Sequence, residues 1–233
     1  MDSRAFYDDY VGRQTAAGVN ERHHAILGWL ERFGLEADHR VLEIGCGVGT
    51  LTQLLVPKLE GGELLAVDLS PKSIEAARER LGAPGNVRLM AADVLEMDVD
   101  GTFDVIVLPD VIEHIPVALH PKLFQRLAEW LAPDGFVLAH YPNPWYLEWC
   151  HEHRPELLQP VDQPIHADTL TQNAYAHGLY LACLQTYSLW IEEGDYVAAV
   201  FKLASNATTF TPVDEEAPSL LARLRHRITG LLG

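Results

Sequence analysis

Residues 41–50 read VLEIGCGVGT, a short apolar run that ends in Glu43 and Ile44 and then places Gly45, Gly47 and Gly49 at alternate positions. Only a residue without a side chain lets a chain leave a strand, turn sharply and bring backbone N–H groups against a ligand before a helix begins. Leu51 to Leu59 reads as that helix. The glycines run G-x-G-x-G, whereas a dinucleotide turn runs G-x-G-x-x-G, its third glycine packing helix on strand around a pyrophosphate. Glu43 stands two residues before the first glycine, where its carboxylate repels a pyrophosphate and attracts a cation. The turn therefore predicts a positively charged ligand that lacks phosphate.

Working outward, three further apolar runs lead to acids. ELLAVDL, 63–69, carries Asp68 at its end; NVRLMAADVL, 86–95, leads to Asp93 and Val94; FDVIVL, 103–108, ends beside Asp110. A single aspartate at a strand end is usually a helix cap or turn residue. In this order behind E-x-G-x-G-x-G, however, the set resembles the class I S-adenosylmethionine-dependent methyltransferases over about residues 20–204. The resemblance implies that S-adenosylmethionine is the cofactor and that Glu43, Gly45, Gly47, Gly49, Asp68, Leu69, Asp93, Val94 and Asp110 bind it. In such enzymes the residue at Asp68 holds both ribose hydroxyls, the one at Asp93 takes the adenine amino group, and a backbone N–H at Val94 meets the ring.

The chain has 233 residues and 48% hydrophobic content, enough for one α/β domain with a substantial core. A net charge of −16 argues against a nucleic-acid substrate, which calls for a basic face, and leaves proteins or small molecules. The N-terminal MDSRAFYDDY is acidic, and there is no apolar run of membrane-spanning length, so a cytoplasmic location is expected. Cys46, Cys150 and Cys183 are odd in number and far apart, and are read as free thiols.

Strand and helix signals alternate along the chain, which predicts a doubly wound, mostly parallel sheet of seven strands with an antiparallel last strand. Asn20 to Phe33 is helical by pattern, and Ser70-Pro71 starts another helix with serine as cap and proline in the first turn. Pro121 to Leu131 gives a third, closed by Pro133-Asp134-Gly135 before a strand at Phe136 to Tyr141. Gln185 to Glu192 and Asp195 to Ala204 flank Glu193-Gly194 as an antiparallel hairpin, an ending that separates this family from dehydrogenases. The domain is placed at 1–204, with a linker and C-terminal helix at 205–233.

An insertion at about 142–165 is too long and too rich in proline, tryptophan and histidine for a simple connection. It reads as a substrate cap, since ligands of open α/β sheets lie outside the carboxyl ends of the strands. Tyr141, Trp145, Trp149, His151 and His153 are its candidate substrate contacts, against the plainer reading of a small core of its own; Tyr7 and Tyr10 are read as closing the other side of the cofactor, against plain packing. Methyl transfer is an in-line displacement, and a hydroxyl acceptor must also lose a proton. His114, in an E-H pair that many small-molecule members carry, is the first candidate base and His140 the second; Glu113 either binds substrate or caps a turn. The sequence LPDV after the fourth strand lacks the Asn/Asp-Pro-Pro-aromatic pattern of nucleobase methylation. Cys150, His151, Glu152, His153, Asp162 and His166 match no zinc spacing, and no metal is expected.

The final SLLARLRHRITGLLG, 219–233, sets leucines and Ile228 on one helical side and arginines on the other. Contact with an anionic membrane surface, with a second subunit or with its own core all remain open for it. The expected activity is methylation of a hydroxyl, or less readily an amine, on a small molecule such as a sugar, a glycan intermediate or a secondary metabolite. The alternatives are a catalytically silent cofactor-binding partner subunit and, third, an NAD-dependent dehydrogenase.

Overall fold

The computed structural model describes residues 3–82 and 84–204; the amphipathic segment 219–233 and its linker lie outside them. Helices are α1 (Ser3–Ala17), α2 (Glu21–Arg32), α3 (Thr50–Leu55), α4 (Pro71–Leu81), α5 (His120–Trp130), α6 (Pro144–His153) and α7 (Ala167–Ala176). Strands are β1 (Arg40–Ile44), β2 (Glu63–Asp68), β3 (Val87–Ala91), β4 (Phe103–Pro109), β5 (Leu131–Pro142), β6 (Leu179–Tyr187) and β7 (Tyr196–Leu203). They form one seven-stranded sheet in the order β3-β2-β1-β4-β5-β7-β6. The first five strands are parallel, and β7 enters antiparallel between β5 and β6.

The central strands are largely apolar because both faces are covered, with Glu43 and His140 as buried polar exceptions. On one face Leu42, Ile106, Leu108, Val137 and Phe201 meet α5 and α7 through Leu123, Phe124, Leu127 and Leu170. On the other, Val41, Leu64, Val105 and Leu138 meet Ile26, Leu30, Leu51 and Leu55 of α2 and α3. Strand order reverses between β1 and β4, which opens a crevice at their carboxyl ends where ligands of such sheets bind.

Local signals set several boundaries as read. Asn20 caps α2 by accepting from Arg22 N at 3.1 Å, with the His23 ring returning to Asn20 N at 3.1 Å. Ser70 caps α4 through Ser73 N at 3.0 Å, with Pro71 as its first residue. One element was not anticipated and two depart from expectation. The acidic N-terminal segment is helical as α1 and docks on α4, where Ser70 Oγ donates to Asp8 at 2.5 Å. Pro133-Asp134-Gly135 does not separate helix from strand: β5 already pairs at Leu131 with Phe103, then bulges and resumes as Phe136 opposite Val105. The hairpin is shifted, because β6 begins at Leu179 and stops at Tyr187, where the Asp195 carboxylate takes Leu189 N at 2.7 Å and Trp190 N at 3.1 Å and folds 188–195 into a loop.

Candidate active site

A cavity of about 680 Å³ opens at the carboxyl ends of β1, β2 and β4, walled on the outer side by α1 and the first turn of α2. Its floor is the glycine turn. Gly45 N and Cys46 N donate to Val67 O at 2.7 and 3.0 Å, which bends the chain over the end of β2. Gly45 has φ of 80°, and a Cβ there would lie 2.2 Å from Val111 Cγ2, so the exit of β4 can pack directly on the turn.

Glu43 is fully buried beneath this floor yet borders the cavity. Thr52 Oγ1 donates to its Oε2 at 2.7 Å, whereas Oε1 has no partner among the described residues. Burial, reinforced by Asp68, pushes the Glu43 carboxyl up to about 8 despite the Thr52 hydrogen bond. A buried acceptor without a donor costs about 1–3 kcal/mol. A cationic donor in the cavity would relieve that cost.

Asp68, at the end of β2, accepts Ser70 N on Oδ1 and Gly47 N on Oδ2, each at 2.8 Å. Each oxygen keeps lone-pair capacity for a ligand hydroxyl. Burial raises its carboxyl, partly offset by those amides. Beyond Asp68 the wall continues through Leu69 to Asp93, Val94 and Leu95, where Leu95 N donates to Asp93 Oδ1 at 2.9 Å. The donors and acceptors thus run in line: an unpaired carboxylate oxygen, an amide-cradled carboxylate, then a second carboxylate beside apolar Val94. They fit S-adenosylmethionine, whose ammonium, ribose diol and adenine amino group need acceptors in that sequence.

At the opposite wall, His114 follows β4 in a short turn, Ile112–His114, with its ring on the cavity near Tyr7, ring centroids 6.2 Å apart. Nδ1 lies 2.6 Å from Val161 O and 3.0 Å from Asp162 Oδ1, which places the proton on Nδ1 and leaves Nε2 unengaged except for Glu113 Oε1 at 3.8 Å. Burial disfavours the charged ring, but Glu113 and Asp162 outweigh it and lift His114 to about 9. Burial likewise raises Glu113, to about 8. The second oxygen of Asp162 accepts Gln159 N at 2.6 Å, so one carboxylate ties the loop around 159–162 to the His114 ring.

A family profile described as a methyltransferase domain matches residues 41–135. The chain has the class I methyltransferase fold and signature. Trans-aconitate 2-methyltransferase of Methylobacterium nodulans is 33% identical over 135 residues, which are 58% of this chain and 50% of that one. Malonyl-[acyl-carrier protein] O-methyltransferase of Priestia megaterium is 29% identical over 155 residues, 65% of this chain and 54% of that one. The chain spans about half the length of the curated relatives it matches. Among solved structures, the N-methyltransferase NodS of Bradyrhizobium japonicum in complex with S-adenosyl-l-homocysteine superposes with a TM-score of 0.67 at 19% identity, covering 86% of this chain and all of that one.

Within this methyltransferase fold, Glu43, Gly45, Gly47, Asp68, Leu69, Asp93, Val94, Asp110 and His114 all border one cavity. Other expected residues are placed elsewhere. Gly49 faces α4, where a Cβ would meet the Ala77 methyl at 3.1 Å; it lets α3 and α4 approach and does not line the cavity. His140 is fully buried, with Nδ1 on Asp110 Oδ1 at 2.5 Å and Nε2 on the Tyr187 hydroxyl at 2.6 Å. With both nitrogens engaged and no face on the cavity, it is not placed to take a proton from an acceptor. Asp110 borders the cavity, but its carboxylate is taken up by Arg22 and His140. Tyr141 is in the core.

Within the insertion, residues 144–153 form α6. Trp145 is 70% exposed and Trp149 46% exposed; His151 bonds Asp162 O at 2.8 Å and His153 bonds Trp149 O at 3.0 Å. None of the four borders the cavity. The part of the insertion that reaches the site is Gln159 with Val161 and Asp162 behind His114. Sequence reasoning missed Asp162 as a partner of His114 because the two are 48 positions apart. It also missed Arg22, which lies in the first turn of α2, the helix read at Asn20 to Phe33 as an outer or lid helix.

Proposed function

We propose that the protein transfers the methyl group of S-adenosylmethionine to a hydroxyl of a small molecule, with His114 as the proton acceptor. One observation carries this reading: a single cavity joins the unpartnered Glu43 Oε1 and the amide-held Asp68 to a histidine whose Nδ1 is fixed by Val161 O and Asp162. When bound, S-adenosylmethionine supplies a sulfonium methyl open to displacement. Glu43 and Asp68 hold the ammonium and ribose ends, and Asp93 with Val94 receives the adenine. Asp162 orients the His114 ring so that Nε2 faces the acceptor, the role of the third group in a nucleophile–base–orienter arrangement. Proximity of acceptor and methyl supplies much of the rate, and base catalysis adds about 10²–10⁴-fold.

The names of the relatives support a small-molecule acceptor and include both O- and N-methyltransferases. A hydroxyl is favoured over an amine by the Asp162–His114 pair, which is built to remove a proton. The test is release of S-adenosylhomocysteine from a panel of hydroxylated and aminated acceptors. His114→Ala is expected to keep cofactor binding and to slow transfer about a hundredfold or more. Unchanged turnover in that variant removes His114 from the mechanism. Cofactor binding without transfer to any acceptor favours the silent-partner reading instead.

A further inference from the structure

His114 stands on a turn too short to hold its own shape. Ile112–His114 is a single three-residue turn, closed by His114 N on Val111 O at 3.0 Å and Ile115 N on Ile112 O at 3.3 Å, a form whose hydrogen-bond geometry is poorer than that of an α-helix. Two side chains grip its carbonyls from opposite sides, and neither borders the cavity. From the first residue of α5, the fully buried His120 ring brings Nε2 within 3.1 Å of Ile112 O and 2.9 Å of Ile115 O, so Nε2 carries the proton and donates to both. His120 Nδ1 has no partner among the described residues, a burial cost that the two contacts offset. From the segment after α6, Gln163 N donates to Glu113 O at 3.1 Å, and Gln163 Nε2 donates to Glu113 O at 3.3 Å and Ile115 O at 3.0 Å. Gln163 Oε1 accepts Val117 N at 3.2 Å.

Gln163 directly follows Asp162, and that adjacency links the turn to the partners of the ring. Val161 O and Asp162 Oδ1 lie 2.6 and 3.0 Å from His114 Nδ1, and the segment that carries them meets the turn through Gln163. A side chain that spans Glu113 O, Ile115 O and Val117 N therefore sets the register of segment against turn, and with it the approach of Asp162 to the ring. Helix α6 backs the segment at two points, His151 Nε2 on Asp162 O and His166 Nε2 on Glu148 Oε1, each at 2.8 Å. We propose that Gln163 and His120 are positioning residues for His114: Gln163 fixes the turn against the segment that bears Asp162, and His120 fixes it against α5. The inference rests on His114 as the proton acceptor. It assigns the inner end of the insertion after β5 to holding that base.

The experiment needs no acceptor: an NMR titration of the His114 imidazole in the full chain. Gln163→Met keeps the length of the side chain and removes its hydrogen bonds, and should bring the His114 midpoint down by about one or more from about 9. In an Asp162→Asn background the same substitution should add little, because it acts through the approach of that carboxylate. Gln163→Asn, an amide one methylene short, should give a smaller fall and carries the test where Gln163→Met does not fold. His120→Leu should also lower the midpoint, and His120→Gln, which returns a donor near the place of Nε2, should restore most of it. Affinity for S-adenosylhomocysteine, read by calorimetry, should stay within about twofold in Gln163→Met, which separates positioning from general destabilisation. With any acceptor that the full chain methylates, Gln163→Met should cost about ten- to a hundredfold in kcat, and nothing further once His114 is replaced by alanine. A midpoint that stays near 9 in both Gln163 variants overturns the inference, as does an equal fall with and without the Asp162 charge. Equal midpoints in His120→Leu and His120→Gln overturn its His120 half. Unchanged turnover in His114→Ala withdraws the base reading and this inference with it, whereas an unmoved midpoint overturns the inference alone.

Discussion

Replacing Asp162 with asparagine should lower the proton affinity of His114 while leaving its ring in place. Asp162 Oδ1 lies 3.0 Å from Nδ1, and Asp162 and Glu113 together lift His114 from 6.5 to about 9 against the cost of burial. At 1.36 kcal/mol per unit, that lift amounts to roughly 3 kcal/mol in favour of the imidazolium. An opposite charge at this range shifts a partner by about 1–3 units, so Asp162→Asn should bring His114 down by at least about one. The direct assay is an NMR titration of the imidazole resonances, assigned with His114→Asn. The rate should follow. A base acts in its neutral form, and with a midpoint near 9 only about one ring in a hundred is neutral at pH 7. Transfer by the unaltered enzyme should therefore climb with pH until about 9, and in Asp162→Asn the climb should end at lower pH on a lower plateau. A His114 midpoint that does not move in the variant would refute the claim that Asp162 governs this ring.

Three further outcomes follow from the cofactor wall. Gly45→Ala forces a Cβ to 2.2 Å from Val111 Cγ2 at a positive φ, and should lower stability by about 1–3 kcal/mol and abolish S-adenosylhomocysteine binding; melting and calorimetry would show both, and tight binding would contradict the packing described. Asp68→Asn weakens the acceptor that takes Gly47 N and Ser70 N, and should cost about tenfold to a hundredfold in affinity, with no loss counting against Asp68 as the ribose site. Glu43, raised to about 8 by burial, is largely protonated at pH 7; a cationic ligand beside it favours the carboxylate, so binding should release a proton and tighten as pH rises towards 8. Calorimetry in buffers of different ionisation heat measures that release, and zero release would exclude contact between Glu43 and the cation.

Much of the cofactor side was legible because it depends on local sequence. Glycines at 45 and 47, and aspartates closing apolar strands at 68 and 93, are set by the turn at each strand's end, and the strand alternation fixes their order around one crevice. The acceptor side depends on contacts between distant segments. His140 looked available at the end of β5, but its exposure is decided by Tyr187 on β6 and Asp110 just after β4, which neither periodicity nor spacing encodes. The aromatic insertion drew attention to Trp145 and Trp149, which turn outward on α6, while Gln159 and Asp162 a turn later reach the cavity wall and the His114 ring. The shifted hairpin has the same origin, since one buried aspartate, Asp195, closes a loop where Glu193-Gly194 alone had indicated a tight turn.

The measurement that bears most directly on the central claim is calorimetric titration of the purified chain with S-adenosylmethionine, S-adenosylhomocysteine and NAD on separate samples. The account predicts micromolar binding of the first two and none of NAD; binding of NAD alone, or of none of the three, would contradict it.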